Sequence, residues 1–245
     1  MHLQFVGCGD AFGSGGRFNT CFHLVGRDTN ALIDCGATSL VALNRFAIDR
    51  NAIDLIFISH FHADHVGGVP PFLLEASHSL KRKRPLTIAG PRGLKAHYAA
   101  LMETAYPGTK DMALSFPLTV QELPVGRGSV LGSVQVIPFH VAHDDRAGPC
   151  LGFRFEVEGK AIGFSGDTEW TDALIAIGRD ADLFVCEAYM RDRAVKGHMT
   201  LSALESHLGE IRPKRLVLTH MSTDMLAHRD ELAFETAEDG MIVEL

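Results

Sequence analysis

Ser59-His60-Phe61-His62-Ala63-Asp64-His65 follows directly on the apolar run Leu55-Ile56-Phe57-Ile58. Three imidazoles and a carboxylate fall within six residues of a loop leaving a strand that the pattern predicts to be buried. Such groups gain little by packing there, and they are the donor types that hold transition metals. His60 and His62, two apart, point to one side of an extended loop, whereas Asp64 and His65 lie past the bend and face elsewhere. One segment can therefore serve two adjacent ions. Imidazole plus carboxylate suits zinc, with manganese and iron also compatible by ligand type.

Around this loop, short strand-like runs alternate with helical patterns. Strands are predicted near 2–6, 21–25, 31–34, 55–59 and 86–89, with helices near 39–47, 70–79 and 93–105. The pattern repeats in kind with strands near 134–139, 151–157, 161–165, 183–186, 215–219 and 241–245, and helices from Thr171 and near 201–209. Early antiparallel strands followed by β-α alternation in both halves predict an α/β protein of two mixed sheets packed face to face with helices outside, a four-layer α/β/β/α sandwich. The change between halves falls in the Pro- and Gly-punctuated stretch 107–132. No flexible linker is visible there, so 1–245 is expected to form a single domain.

Composition bounds the function. At 245 residues, with 46% hydrophobic and 22% charged residues, the chain fits an ordinary globular protein and excludes a disordered, collagenous or coiled-coil one. A core of this size needs no metal to hold it together, so a metal would be functional. The formal net charge of −7 disfavours stable binding to nucleic acid. Cys8, Cys21, Cys35, Cys150 and Cys186 are odd in number and contain no C-x-x-C pair, which points to buried thiols in a reducing compartment. With no signal-peptide pattern and no long apolar run, a soluble, cytoplasmic protein without membrane contact is expected.

Four ligands are too few for two ions, and the other strand ends offer more. His143 follows the 134–139 strand, Asp167 follows 161–165 in Gly166-Asp167-Thr168, and His220 follows 215–219. An Asp in Gly-Asp-Thr is also a helix N-cap in its own right. The ordered set resembles the metallo-β-lactamase superfamily over nearly the whole chain. Leu32-Ile33-Asp34-Cys35-Gly36, Leu86-Thr87-Ile88-Ala89-Gly90-Pro91, Phe164-Ser165-Gly166-Asp167-Thr168, and Cys186-Glu187-Ala188 followed by His198-Met199-Thr200 are similar to its ribonuclease Z and phosphodiesterase branch. The resemblance implies two zinc ions. One is held by His60, His62 and His143, the other by Asp64, His65 and His220, with Asp167 bridging. His140 competes with His143; the position before Ala147-Gly148-Pro149 favours His143, as in the family.

Two such ions roughly 3.5–4 Å apart can hold a bridging hydroxide and clamp substrate oxygens, which makes the reaction class hydrolysis. Asp64 is expected either to orient that nucleophile, as its family counterpart does, or to serve as a plain ligand. The resemblance gives His198 as proton donor to the leaving group and Glu187 as the carboxylate that pairs with it, a pairing that fixes the imidazole tautomer. Asp34 is either an acceptor for the free N–H of a ligand histidine or a turn residue. The glycine-rich stretch 7–16 lacks the dinucleotide spacing and reads as a rim loop, with Arg17 and Asn19 as candidate substrate contacts. Lys81-Arg82-Lys83-Arg84 reads as a solvated helix end. Trp170 either overhangs the site or fills the core.

Ribonuclease Z proteins carry a long tRNA-gripping arm, commonly inserted before the Gly-Asp-Thr strand, where Phe155–Ala161 here reads as a tight hairpin. A small-molecule or nucleotide phosphodiester is therefore the expected substrate, ahead of tRNA 3′-end cleavage. Ester, lactone or thioester hydrolysis on the same metals is the rival enzyme reading, and a noncatalytic metal-binding or ligand-sensing module the reading from another class. His62 stands where the oxygen-reducing di-iron branch typically has a carboxylate, which disfavours redox chemistry. A homodimer is expected by analogy.

Overall fold

The computed structural model describes residues 1–109 and 112–245. Two seven-stranded sheets face each other. The first contains β1 (His2–Gly7), β2 (Cys21–Val25), β3 (Asn30–Ile33), β4 (Leu55–Phe57), β5 (Leu86–Gly90) and β6 (Leu118–Glu122). The second contains β7 (Ser129–Leu131), β8 (Val134–His140), β9 (Leu151–Val157), β10 (Lys160–Phe164), β11 (Leu183–Glu187), β12 (Leu216–Thr219) and β13 (Glu235–Thr236), after which β14 (Ile242–Glu244) returns to the first sheet beside β1. The order is β14-β1-β2-β3-β4-β5-β6 in one sheet and β13-β12-β11-β10-β9-β8-β7 in the other. Helices α1 (Ser39–Arg45), α2 (Ala63–Val66), α3 (Val69–Leu74) and α4 (Leu94–Ala105) belong to the first half, and α5 (Ala173–Gly178), α6 (Leu201–Ile211) and α7 (Thr223–Ala227) to the second. This is the expected four-layer α/β/β/α sandwich.

Side-chain alternation builds the interior. In β9, Phe153, Phe155 and Val157 are buried between the sheets while Arg154 and Glu156 remain partly exposed. The inner layer is rich in phenylalanine: Phe22 meets Phe164 edge-on with ring centres 5.3 Å apart, and Phe57 meets Phe155 at 5.0 Å, each pair joining the two sheets. Truncating one such ring to alanine costs about 3–5 kcal/mol. The outer faces are covered in turn, Leu32, Ile56 and Ile88 packing under Leu43, Phe72 and Leu94, and Phe184, Cys186 and Leu218 under Leu174, Leu204 and Ile211. The central strand β11 is consequently buried at every residue.

The stretch 107–132 is where the chain leaves one sheet for the other, and it contains β6 and β7, two short edge strands that the sequence pattern did not announce. Lys110 and Asp111 within it lie outside the described residues. The β9–β10 connection is the expected tight hairpin. Val157 pairs with Lys160, and the two central residues Glu158 and Gly159 have φ of 51° and 78°, the left-handed pair of a type I′ turn.

The basic run departs from expectation. Arg82 is buried, its guanidinium bonding the carbonyl oxygens of Arg50, Asn51, Arg84 and Pro85 at 2.8–3.2 Å and Asp54 at 3.3 Å. Five donors in a fixed fork satisfy carbonyls of the two connections that lead into β4 and β5, so this arginine is a structural staple. No helix among the described residues is long and apolar enough to cross a membrane.

All five cysteines are free and buried. Burial raises the thiol pKa to about 12 at Cys21 and about 11 at Cys150, and raises Cys8, Cys35 and Cys186 as well. At pH 8 a thiol-exchange reagent should therefore titrate none of the five rapidly in the native protein and all five after denaturation. Fast reaction of any of them without unfolding would contradict this packing.

Candidate metal centre and active site

Strand direction gathers the candidate residues. The parallel strands β3 and β4, and β10, β11 and β12, all run one way within their sheets. β8 is antiparallel to β9, itself antiparallel to β10, so β8 shares that direction. Asp34 follows β3, Ser59–His65 follows β4, His143 follows β8, Asp167 follows β10, Glu187 ends β11 and His220 follows β12. The carboxyl ends of such strands are where open α/β sheets place their ligands.

The motif loop divides as expected. His62 is extended and caps the one-turn helix α2, which carries Asp64 and His65. Its close docking depends on glycine. A Cβ on Gly36 would lie 2.1 Å from the Asp64 carbonyl oxygen, and one on Gly68 would lie 2.3 Å from that of Gly36.

Two donor clusters result, His60, His62 and His143, and Asp64, His65, Asp167 and His220, and a third group of Asp167, Glu187, His198 and His220 overlaps the second, with the donor atoms of each within 4.8 Å of one another. Asp167 joins them. Its Oδ2 lies 3.2 Å from the Nε2 atoms of both His65 and His220, 3.9 Å from that of His60 and 4.0 Å from that of His143. The Nε2 atoms of His60 and His65 are buried without a hydrogen-bond partner, and such atoms are costly unless something else coordinates them. The clusters thus form a donor set for divalent cations.

Hydrogen bonds on the far side of the His60, His65 and His143 rings fix which nitrogen faces inward. Asp34, wholly buried, accepts from His65 Nδ1 at 2.6 Å and from the Ser59 hydroxyl and amide at 2.7 Å each. The Ser59 hydroxyl, having donated its proton, accepts from His60 Nδ1 at 3.0 Å. The Gly197 carbonyl accepts from His143 Nδ1 at 2.7 Å, leaving Nε2 with its lone pair 3.0 Å from His62 Nδ1. Burial, reinforced by the neighbouring His65, pushes the pKa of His60 down and keeps that ring neutral, the form that binds metal. For His65 and His220 burial pushes the same way, but the Asp167 and Asp64 carboxylates overcome it and raise both.

Glu187 is wholly buried at the end of β11. Its Oε1 hydrogen-bonds His198 Nδ1 and lies 3.4 Å from His220 Nδ1, while its Oε2 accepts from the Thr168 amide at 2.6 Å. Burial lowers the His198 pKa, and the Glu187 bond more than offsets it, so the net shift is upward. Tyr189 lies against this ring, the two centres 4.6 Å apart. Sequence reasoning passed over Tyr189, for which the only signal was its place two residues after Glu187. A cavity of about 640 Å³ opens over His62, His143 and His198, walled by Asp144, Arg146 and Lys196.

Residues 1–239 match the family described as Anti-Pycsar protein Apyc1. The chain belongs to this family. It is also similar to ribonuclease Z of Bacillus subtilis (strain 168), at 28% identity over 91% of this chain and 88% of that one, and to ribonuclease Z of Agathobacter rectalis, at 26% over 87% and 85%. Among solved structures it resembles human tRNase Z, short form, with 26% identity, a TM-score of 0.81 and coverage of 100% and 99%. YhfI from Bacillus subtilis, described as a metallo-β-lactamase fold protein, superposes with a TM-score of 0.78 at 17% identity, covering 99% of each chain. The Apyc1-family chain is accordingly a metallo-β-lactamase-fold, metal-dependent hydrolase near ribonuclease Z.

In this Apyc1-family protein His140 is half-exposed and hydrogen-bonds Asp145 at 3.0 Å, outside both donor clusters, whereas His143 is inside one. The glycine-rich loop borders the centre, since the Cys8 carbonyl accepts the His220 amide at 3.1 Å. Its two candidate substrate contacts are otherwise engaged. The Asn19 amide bridges the Asp10 carbonyl and the Thr38 amide, and the Arg17 guanidinium reaches Cys8 Sγ at 3.6 Å.

Because Asp34 holds His65 directly and His60 through Ser59, Asp34→Ala should weaken divalent-metal binding by about 10–100-fold. Competition against a chelating dye measures this. Unchanged affinity would restrict Asp34 to a turn role.

Proposed function

We propose that this protein hydrolyses a phosphodiester in a small, nucleotide-like substrate at a dinuclear, zinc-type centre of nitrogen and oxygen donors. His60, His62 and His143 would hold one ion, Asp64, His65 and His220 the other, and Asp167 both. The observation that carries the reading is the buried Glu187 holding His198 beside the two clusters. When bound, two divalent ions supply water of lowered pKa and offset charge on phosphoryl oxygens. The remaining work falls to side chains. With Nδ1 engaged by Glu187, His198 keeps Nε2 free to donate a proton to the leaving alkoxide. Asp64, 3.3 Å from the Nε2 atoms of both His65 and His220, serves as ligand and orients the attacking water. The 157–160 hairpin leaves no arm at that position, which favours a small substrate over tRNA.

Metal-quantified protein should turn over bis(p-nitrophenyl) phosphate, lose activity on chelation, and lose about 10²–10⁴-fold in His198→Ala. Turnover of p-nitrophenyl acetate or a lactone that ignores His198, with no phosphodiester cleavage, would replace this reading with acyl hydrolysis. Metal content separates the two histidines of the third segment: His143→Ala should lose about one ion per chain and His140→Ala none. The reverse result would exchange their roles.

A further inference from the structure

A second cavity, of about 440 Å³, lies next to the one over the metal-ligand clusters. Lys196 and His198 line both. The second is otherwise walled by Trp170, Glu169, Thr200 and Ala203 among others. Both volumes fall in the range of about 300–1,000 Å³ typical of small-molecule sites.

Trp170 is fixed before any ligand arrives. One face of its indole stacks on His207 of α6, with centres 3.7 Å apart and planes within 5°, and His207 is tied to Glu210 at 2.8 Å. The carboxylate of Glu169 is committed to the loop, accepting the Gly197 amide at 2.6 Å. Lys196 is exposed and has no ion pair or hydrogen bond among the described residues. A rigid indole and an unpaired ammonium thus line one cavity with the ring assigned to protonate the leaving group.

We propose that the Trp170 cavity is the subsite for a planar aromatic group carried by the substrate, with Lys196, which lines both cavities, binding the anionic phosphate. This rests on the phosphodiester reading and deepens it. A substrate would straddle His198, its phosphorus over the clusters and its ring against Trp170. Aromatic side chains hold planar rings by stacking with little regard to ring identity, so the cavity selects for a ring and not for one base.

Trp170 is the sole tryptophan of the chain, which makes it its own reporter. Metal-loaded protein is titrated with adenosine 5′-monophosphate and, separately, ribose 5-phosphate, which differ only in the ring, with fluorescence corrected for absorbance. The nucleotide should quench Trp170 saturably and the sugar phosphate should not. Lys196→Ala should weaken the nucleotide by about two- to fivefold. Trp170→Leu should weaken it by about fivefold or more by calorimetry, with Trp170→Phe restoring most of the loss. No quench by the nucleotide, or equal quench by both ligands, overturns the subsite. Turnover of bis(p-nitrophenyl) phosphate without quench would sink the subsite and spare the phosphodiester reading; quench without turnover would do the opposite.

Discussion

The Asp34 carboxylate orders the centre from behind. It is fully buried, accepts three hydrogen bonds, and through them determines the tautomer of His65 directly and of His60 by way of Ser59. A buried carboxylate is tolerated only when its lone pairs are met in this way. Remove it, and two rings lose the bond that aims their Nε2 atoms inward. Its own backbone is left-handed, at φ 59°, as is that of His220, at φ 56°. Both are non-glycine residues in a sparsely populated region, and both stand one residue past a strand. The sharp turn there sends the side chain inward where a continuing strand would have carried it past.

Glycine meets the complementary need at the same edge. Gly166, at φ 62°, has no room for a Cβ, which would sit 2.4 Å from the Leu151 carbonyl oxygen. With Gly36 and Gly68 it lets three chain segments approach closely enough for Asp167 Oδ2 to come within 4.0 Å of four imidazole nitrogens. The packing that tolerates this is the four-layer sandwich, whose phenylalanine-rich middle holds the two sheets in register so that their strand ends meet.

The strongly patterned parts of the chain were legible in the sequence. Runs such as Leu55–Phe57 and residues 183–186 are continuously apolar because both faces of the strand are covered, and the polar residues just beyond them stand out for that reason. The sequence missed the edges: β6, β7 and β13 are short and half-exposed, with no periodicity to announce them. Arg82 misled for a related reason, since a cation in a basic run shows nothing of the carbonyls that will converge on it. The sequence likewise gives no sign that the Asn19 amide will serve backbone from two distant segments. Tyr189 offered only its place two residues after Glu187, and it is the fold that brings its ring against His198.

Rigidity is unevenly distributed around the centre. The inner wall, from Asp34, Ser59 and Glu187, consists of wholly buried groups bonded to one another and to backbone. The outer wall is made of loops, 144–148 and 191–198, whose charged groups face solvent. There Arg146 is occupied by Asp144 through paired bonds of 2.6 and 2.8 Å, and an exposed pair of that kind holds its partner only weakly against a competing anion. A substrate phosphate or carboxylate that draws Arg146 away would leave Asp144 facing His62, whose Nε2 is 3.9 Å from it. Changes at Asp144 or Arg146 leave the bonds made by Asp34, Ser59 and Glu187 in place, whereas loop 191–198 also supplies the Gly197 carbonyl that aims His143 and so is tied to the inner wall.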